Sequence, residues 1–167
     1  MLELTAELSR SLGEAAAAIL RSSHLVALAG AGLSVESDIP PFRGPGGLWT
    51  KYGEPTNLSY REFTKDPKEW WEARFRNEDR PGDPTYELKV AVDAAEPNPG
   101  HHALVEMEEM GLLKCVITQN VDNLHTEAGS KSLVEIHGNR TWLRCVGCGV
   151  RQPRDVYHFD SLPPICT

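Results

Sequence analysis

Three groups of residues in this chain could do chemistry. Cys145-Val146-Gly147-Cys148 sets two thiols at the spacing with which a short knuckle presents two thiolates to one tetrahedral metal ion. Gly147 allows the tight turn between them. Cys166 follows Cys148 by 18 residues, the interval after which zinc ribbons begin their second pair of ligands. A redox dithiol has the same Cys-x-x-Cys spacing, but it wants the pair at a helix start after a strand, and the polar segment Gly149 to Arg154 offers no such helix. A structural zinc is therefore expected on Cys145, Cys148 and Cys166. Cys115 lies in an apolar run and reads as a buried thiol. The second group is Gly30-Ala31-Gly32, where missing side chains let backbone N–H groups approach a pyrophosphate. The usual third glycine is replaced by Val35, so a plain tight turn accounts for this piece equally well. The third is His137 beside Gly138. It is a candidate general base if it faces a cleft, and a hydrogen-bonded structural histidine if it does not. His101 and His102 are neighbours on a helix, point apart, and read as structural.

The elements around these groups place them. Leucines at helical spacing and the alanine run Ala15 to Ala18 predict an amphipathic helix over Leu2 to Ser22. His24 to Ala29 is a continuous apolar run read as a buried parallel strand that delivers the glycine turn. The proline and glycine density from Ser34 to Pro55 predicts a long functional loop without regular structure. Helices are expected over Phe63 to Asn77 and Tyr86 to Ala95. A third, from an Asn98 cap and Pro99 to Gly111, would turn Leu104, Met107 and Met110 inward. Leu112 to Thr118 and Leu133 to His137 read as further strands, separated by a short helix from Asp122 to Ala128. Alternating strands and helices predict an α/β fold with a parallel sheet, in which ligands bind where loops leave the carboxyl ends of strands. Gly30 to Ser34, Gln119 to Asp122 and His137-Gly138 all lie at such ends.

Composition narrows the partners. The chain has 167 residues, 40% hydrophobic and 25% charged, a globular balance. No apolar run spans a bilayer and no secretory signal is visible, so a cytoplasmic protein without a membrane partner is expected. A net charge of −7 argues against nucleic acid as a direct partner.

Taken together, Gly30-Ala31-Gly32-Leu33-Ser34, Ser37-Asp38-Ile39-Pro40-Pro41-Phe42-Arg43-Gly44, Thr118-Gln119-Asn120-Val121-Asp122, Leu124-His125 and Ile136-His137-Gly138 resemble the sirtuins in order and spacing. Sirtuins are NAD-dependent protein-lysine deacylases, and the Cys145–Cys148 knuckle sits where they carry the first half of a zinc site. The resemblance, from about Leu25 to Cys166, implies a Rossmann-like parallel sheet in strand order 3-2-1, a helical insert and a zinc-ribbon small domain. It divides the chain into a NAD-binding half (1–60 and 97–138, with a cofactor loop over 34–55), an insert (61–96) and a zinc module (139–167). It implies that NAD and zinc are the cofactors and an acyl-lysine protein or peptide, most simply acetylated, the substrate. The products would be nicotinamide and O-acyl-ADP-ribose. It makes His137 the general base and has Asn120 orient the ribose and a water. Asp122 would accept from the nicotinamide carboxamide, in a pocket lined by Gln119, Val121 and Ile39. Gly30, Ala31, Gly32, Ser34 and Val35 would lie along the phosphates and ribose, Phe42 over C1′, and Arg43 on the phosphate side. Mono-ADP-ribosyl transfer at the same site and a silent zinc- or partner-binding fragment are the competing expectations.

Two loop positions depart from the pattern: Asp38 stands for a glycine and Pro41 for an aspartate. Asp38 would have to tolerate a left-handed backbone, and Pro41 loses a carboxylate and an N–H. Weaker NAD binding or a stiffer loop is expected. Trp71-x-x-Arg74 is a distant echo of the Tyr-x-x-Arg pair found in deacylases that favour acidic acyl chains. Trp70, Trp71 and Phe75 read more simply as small-domain core. The resemblance also implies a longer polypeptide, with a fourth zinc ligand about three residues beyond Cys166. As it stands the chain is expected to expose the His24–Ala29 strand as an apolar edge, with poor solubility and no turnover.

Overall fold

A computed structural model of the protein describes residues 5–54 and 60–166. The expected helix start at Leu2 and the Pro55 end of the loop lie outside them. Helix α1 (Ala6–Arg21) is capped by the Thr5 hydroxyl, which accepts from the Leu8 N–H. It leads to β1 (Leu25–Ala29), then α2 (Ala31–Ser34) and a 3-10 turn (Val35–Ser37). Helices α3 (Leu48–Tyr52), α4 (Tyr60–Lys65), α5 (Pro67–Glu78), α6 (Pro84–Ala94) and α7 (Pro99–Glu109) follow. The chain continues through β2 (Leu113–Thr118), α8 (Leu124–Ala128), β3 (Leu133–Glu135) and the short strands β4 (Trp142–Arg144) and β5 (Arg151–Pro153). Among the described residues no helix is long and apolar enough to cross a membrane.

Strands β1, β2 and β3 form one parallel sheet in that order, as expected, and β4 pairs antiparallel with β5. The register aligns the ends that matter. Ala29 pairs with Thr118, and Thr118 with Glu135, so all three strands finish on one rung. Two further bonds extend it, Gln119 N–H to Ala29 O at 3.0 Å and Ile136 N–H to Thr118 O at 3.0 Å. Helix α7 lays Leu104 and Met107 over Ala29, Leu113 and Val116, the buried centre of the core.

Four expectations need correcting. The first strand is buried on one face only: Leu28 is 71% exposed, and Val26, Val134 and Ile136 lie open on the same sheet. Met110 caps α7 from solvent instead of facing inward. The helix expected over Phe63 to Asn77 is two, because Asp66 caps Pro67 through its carboxylate on the Glu69 N–H. The glycine- and proline-rich loop contains α3. That helix is anchored by Leu48 N–H to Pro41 O, Trp49 N–H to Phe42 O, and the Phe42 ring 4.8 Å from Trp49. Gly47 makes this closure possible, since a Cβ there would meet the Arg43 backbone at 2.8 Å. Trp71 and Phe75, both half-buried, pack on Phe159.

Candidate active site

The shared rung puts two polar loops side by side. After β1, Gly30 starts α2, and Ser34 at its end is almost fully buried. After β2, the Asn120 N–H is held by Thr118 Oγ1 at 3.0 Å, which turns the chain back toward Gly30. Asn120 Nδ2 donates to Gly30 O at 3.1 Å and to Ser34 Oγ at 3.0 Å. Ser34 Oγ in turn donates to Asp122 Oδ2 at 2.7 Å, and the Leu124 N–H reaches Asp122 Oδ1 at 3.1 Å. Asp122 is a buried carboxylate with only neutral hydrogen-bond partners and, among the described residues, no ion pair. A group that accepts only, so placed, has lone pairs left for a donor from a ligand. Ile39 is buried beside this turn, whereas Ala31, Gly32 and Val35 remain accessible along it.

The remaining expected residues are dispersed. Gln119 and Val121 flank Asn120, and the Val121 carbonyl accepts from the Arg140 N–H. Phe42 lies against Trp49, and Arg43 points to Glu54 at 2.8 Å with its guanidinium 4.5 Å above the Trp49 ring. His137 sits two residues beyond the end of β3, exposed. It lines a cleft of about 510 Å3 with Val121, Phe63, Trp71, Leu143 and Cys145. No hydrogen bond joins it to Asn120 or Asp122. Arg74 also lines this cleft, but its guanidinium is paired with the buried Glu78 at 2.8 Å, and Glu78 holds Arg154 at 3.0 Å as well.

Asp38 takes the left-handed conformation its position demands, with φ 62° and ψ 17°. Asp38→Gly should therefore relieve backbone strain and raise unfolding free energy by about 0.5 kcal/mol, partly offset by the freer unfolded chain. Denaturant titration of both proteins checks this, and a loss of stability would contradict it.

His101, expected to be structural, finds in His125 a partner that no local pattern in the sequence predicts. His101 and His125 meet edge to face with ring centres 5.0 Å apart, both almost fully buried. His101 Nδ1 accepts from the Asn98 N–H, while His101 Nε2 and both nitrogens of His125 have no hydrogen-bond partner among the described residues. Burial lowers both pKa values, more than nearby Asp122 raises them. A depressed histidine pKa means that the unfolded chain binds the proton more readily. Stability is then complete above the unfolded value near 6.5 and is lost as pH falls from there toward the folded values. Melting temperature should drop below pH 6.5, and less steeply in His125→Phe, which keeps a ring but no proton site.

At the other end of the cleft, Sγ atoms of Cys145, Cys148 and Cys166 lie within 4.8 Å of one another, Cys148 and Cys166 at 3.5 Å. Tetrahedral zinc thiolate ligands sit ~3.8 Å apart, so the set fits such an ion. Backbone N–H groups of Cys148 and Gly147 lower the Cys145 thiol to about 7, and the neighbouring Cys148 and Cys145 push Cys166 up to about 11. His158 is not part of the cluster.

With this geometry in place, residues 30–163 match the model of the Sir2 family. The chain belongs to the Sir2 family. Among curated Sir2-type relatives, an NAD-dependent protein deacylase of Pyrococcus furiosus is 44% identical over 141 residues, covering 84% of this chain and 52% of its own length. An NAD-dependent protein deacetylase of Caldivirga maquilingensis is 42% identical over 162 residues, 92% of this chain and 57% of its own. Solved Sir2 structures agree. A mutant Sir2 homologue with ADP ribose superposes at TM-score 0.65 and 38% identity, over 92% of this chain and 56% of the other. A Sir2 homologue–NAD complex superposes at 0.63 and 37%, over 92% and 55%. A Sir2 complex with a deacetylated p53 peptide and 3′-O-acetyl ADP ribose reaches 0.66 and 35%, over 86% and 54%. This Sir2 chain spans about half the length of the curated relatives it matches.

Proposed function

We propose that the protein removes acyl groups, acetyl foremost, from protein lysines at the expense of NAD, giving nicotinamide and O-acyl-ADP-ribose. The observation that carries this is Asp122: a buried carboxylate fixed by Ser34 and the Leu124 N–H, at the rim where β1 and β2 end together. A carboxylate so held suits the amide donor of nicotinamide, and family membership and the relatives' activities support the same choice.

Bound NAD supplies a glycosidic bond whose loss leaves a cation-like ribose carbon. Around it Asn120 would orient the ribose and a water, with Gly30, Ala31, Gly32, Ser34 and Val35 along the phosphates. Ile39 and Phe42 would exclude water, Gln119 and Val121 would complete the nicotinamide pocket, and Arg43 would turn from Glu54 to the phosphate side. His137, on the cleft shared by the sheet rim and the small module, would take a proton from a ribose hydroxyl. Cys145, Cys148 and Cys166 would hold a structural zinc. The division into a NAD-binding half, an insert and a zinc module stands on the same footing, as does a cytoplasmic setting.

Nicotinamide release in three mixtures tests the proposal: NAD alone, NAD with an unmodified peptide, and NAD with its acetyl-lysine counterpart. Release only in the third is expected of the whole protein. ADP-ribose appearing on the unmodified peptide would make the protein a transferase. Zinc bound without NAD binding in calorimetry would make it a silent module.

A further inference from the structure

One buried side chain ties the cofactor rim to a distant helix, and nothing in the proposed chemistry requires it. Asn98 precedes α7 and is 6% exposed. Its Oδ1 accepts from the Gly100 N–H at 2.9 Å and the His101 N–H at 3.3 Å, the ordinary work of a helix cap. Its Nδ2 does something a cap does not need. It donates to Leu33 O at 2.7 Å and to Ser37 Oγ at 2.9 Å, more than 60 residues back in the chain. All four hydrogen-bonding positions of the amide are filled.

The two acceptors bracket Ser34. Leu33 and Ser37 are the residues on either side of the Ser34–Glu36 stretch, and Ser34 Oγ is the link between Asn120 and Asp122. Helix α2 has four residues and the 3-10 turn three, too few to hold their own orientation. Hydrogen bonds from Asn120 and from Asn98 at the start of α7 supply it. Gly100 shows how close α7 lies, since a Cβ there would meet Leu33 Cδ1 at 2.9 Å and Asn98 Oδ1 at 3.1 Å. Only asparagine does both jobs here. Aspartate caps equally well but has no donor, and serine caps but is too short to bridge.

We infer that Asn98 is a positioning residue for the NAD site, acting through Leu33 and Ser37 on the Ser34–Asp122 contact. The inference rests on the NAD-binding role proposed above. A cap alone would affect folding and leave ligand affinity untouched, which separates the two roles.

The test is NAD affinity by calorimetry, well below each protein's melting temperature, for Asn98→Asp, Asn98→Ser, Ser37→Ala and the Asn98→Ser/Ser37→Ala double variant. Loss of the two donors should raise the NAD dissociation constant about tenfold in both Asn98 variants. Ser37→Ala, which leaves the helix cap whole, should raise it about threefold, and should add nothing in the Asn98→Ser background. Asn98→Asp and Asn98→Ser proteins that are folded and bind NAD within twofold of the parent would overturn the inference. So would a Ser37→Ala effect of the same size in both backgrounds. A parent protein that binds no NAD would overturn the proposed function itself, and this inference with it.

Discussion

His137→Ala should lower acetyl-peptide-dependent product formation by about 10²–10⁴-fold, the usual worth of a positioned acid or base. NAD affinity should stay within about twofold, because among the described residues no hydrogen bond joins His137 to the Ser34–Asn120–Asp122 cluster. The backbone explains how the imidazole reaches its place. Strand β3 stops at Glu135, and the Gly138 N–H closes a turn on Glu135 O at 3.2 Å with Gly138 at φ 76°. The ring thereby leaves the sheet and enters the cleft lined by Val121, Leu143 and Cys145. Steady-state turnover with an acetylated peptide, paired with calorimetry, separates the two effects. Turnover near the parent rate would remove His137 from the proton-transfer role.

Removing the proposed zinc should unfold the module from Asn139 to Cys166. No described residue in this segment is buried, and its only regular structure is the pair of three-residue strands β4 and β5. So small a unit has no core with which to offset its chain entropy, and a structural zinc typically contributes on the order of 10 kcal/mol. The consequences should spread. The module carries Phe159, packed 5.6 Å from Trp71, and Arg154 and Arg140, which pair with Glu78 and Asp93. Chelation, or Cys148→Ser, should therefore shift tryptophan fluorescence and release Arg154 from Glu78, which keeps Arg74, while the β1-β2-β3 sheet persists in far-ultraviolet circular dichroism. An unchanged fluorescence spectrum, with metal analysis confirming that zinc has gone, would contradict a structural role.

Local chemistry made much of this site legible in the sequence. Apolar runs ending at Ala29 and Thr118 located the two strand ends, and the structure pairs those very residues. Asn98-Pro99 announced a helix start, and Cys145-x-x-Cys148 a knuckle. The same capping signal at Asp66-Pro67 divides the helix over Phe63 to Asn77, and was readable by the same rule. Other features depend on partners far along the chain. Helix α3 is fixed by Phe42 against Trp49, amid prolines and glycines that locally favour a loop. The second half of the Asn98 amide finds acceptors at Leu33 and Ser37, and His101 meets His125 only once α7 and α8 pack on the sheet. Exposure misleads in another way. An apolar strand such as β1 reads as buried on both faces, yet only the face toward α7 is covered among the described residues, leaving Leu28 open.

The destination of the acetyl group tests the account most directly. With an isotopically labelled acetyl-lysine peptide and NAD, mass spectrometry should find the label on ADP-ribose, one for each nicotinamide released and each free lysine formed. Label recovered as free acetate without consumption of NAD would contradict it.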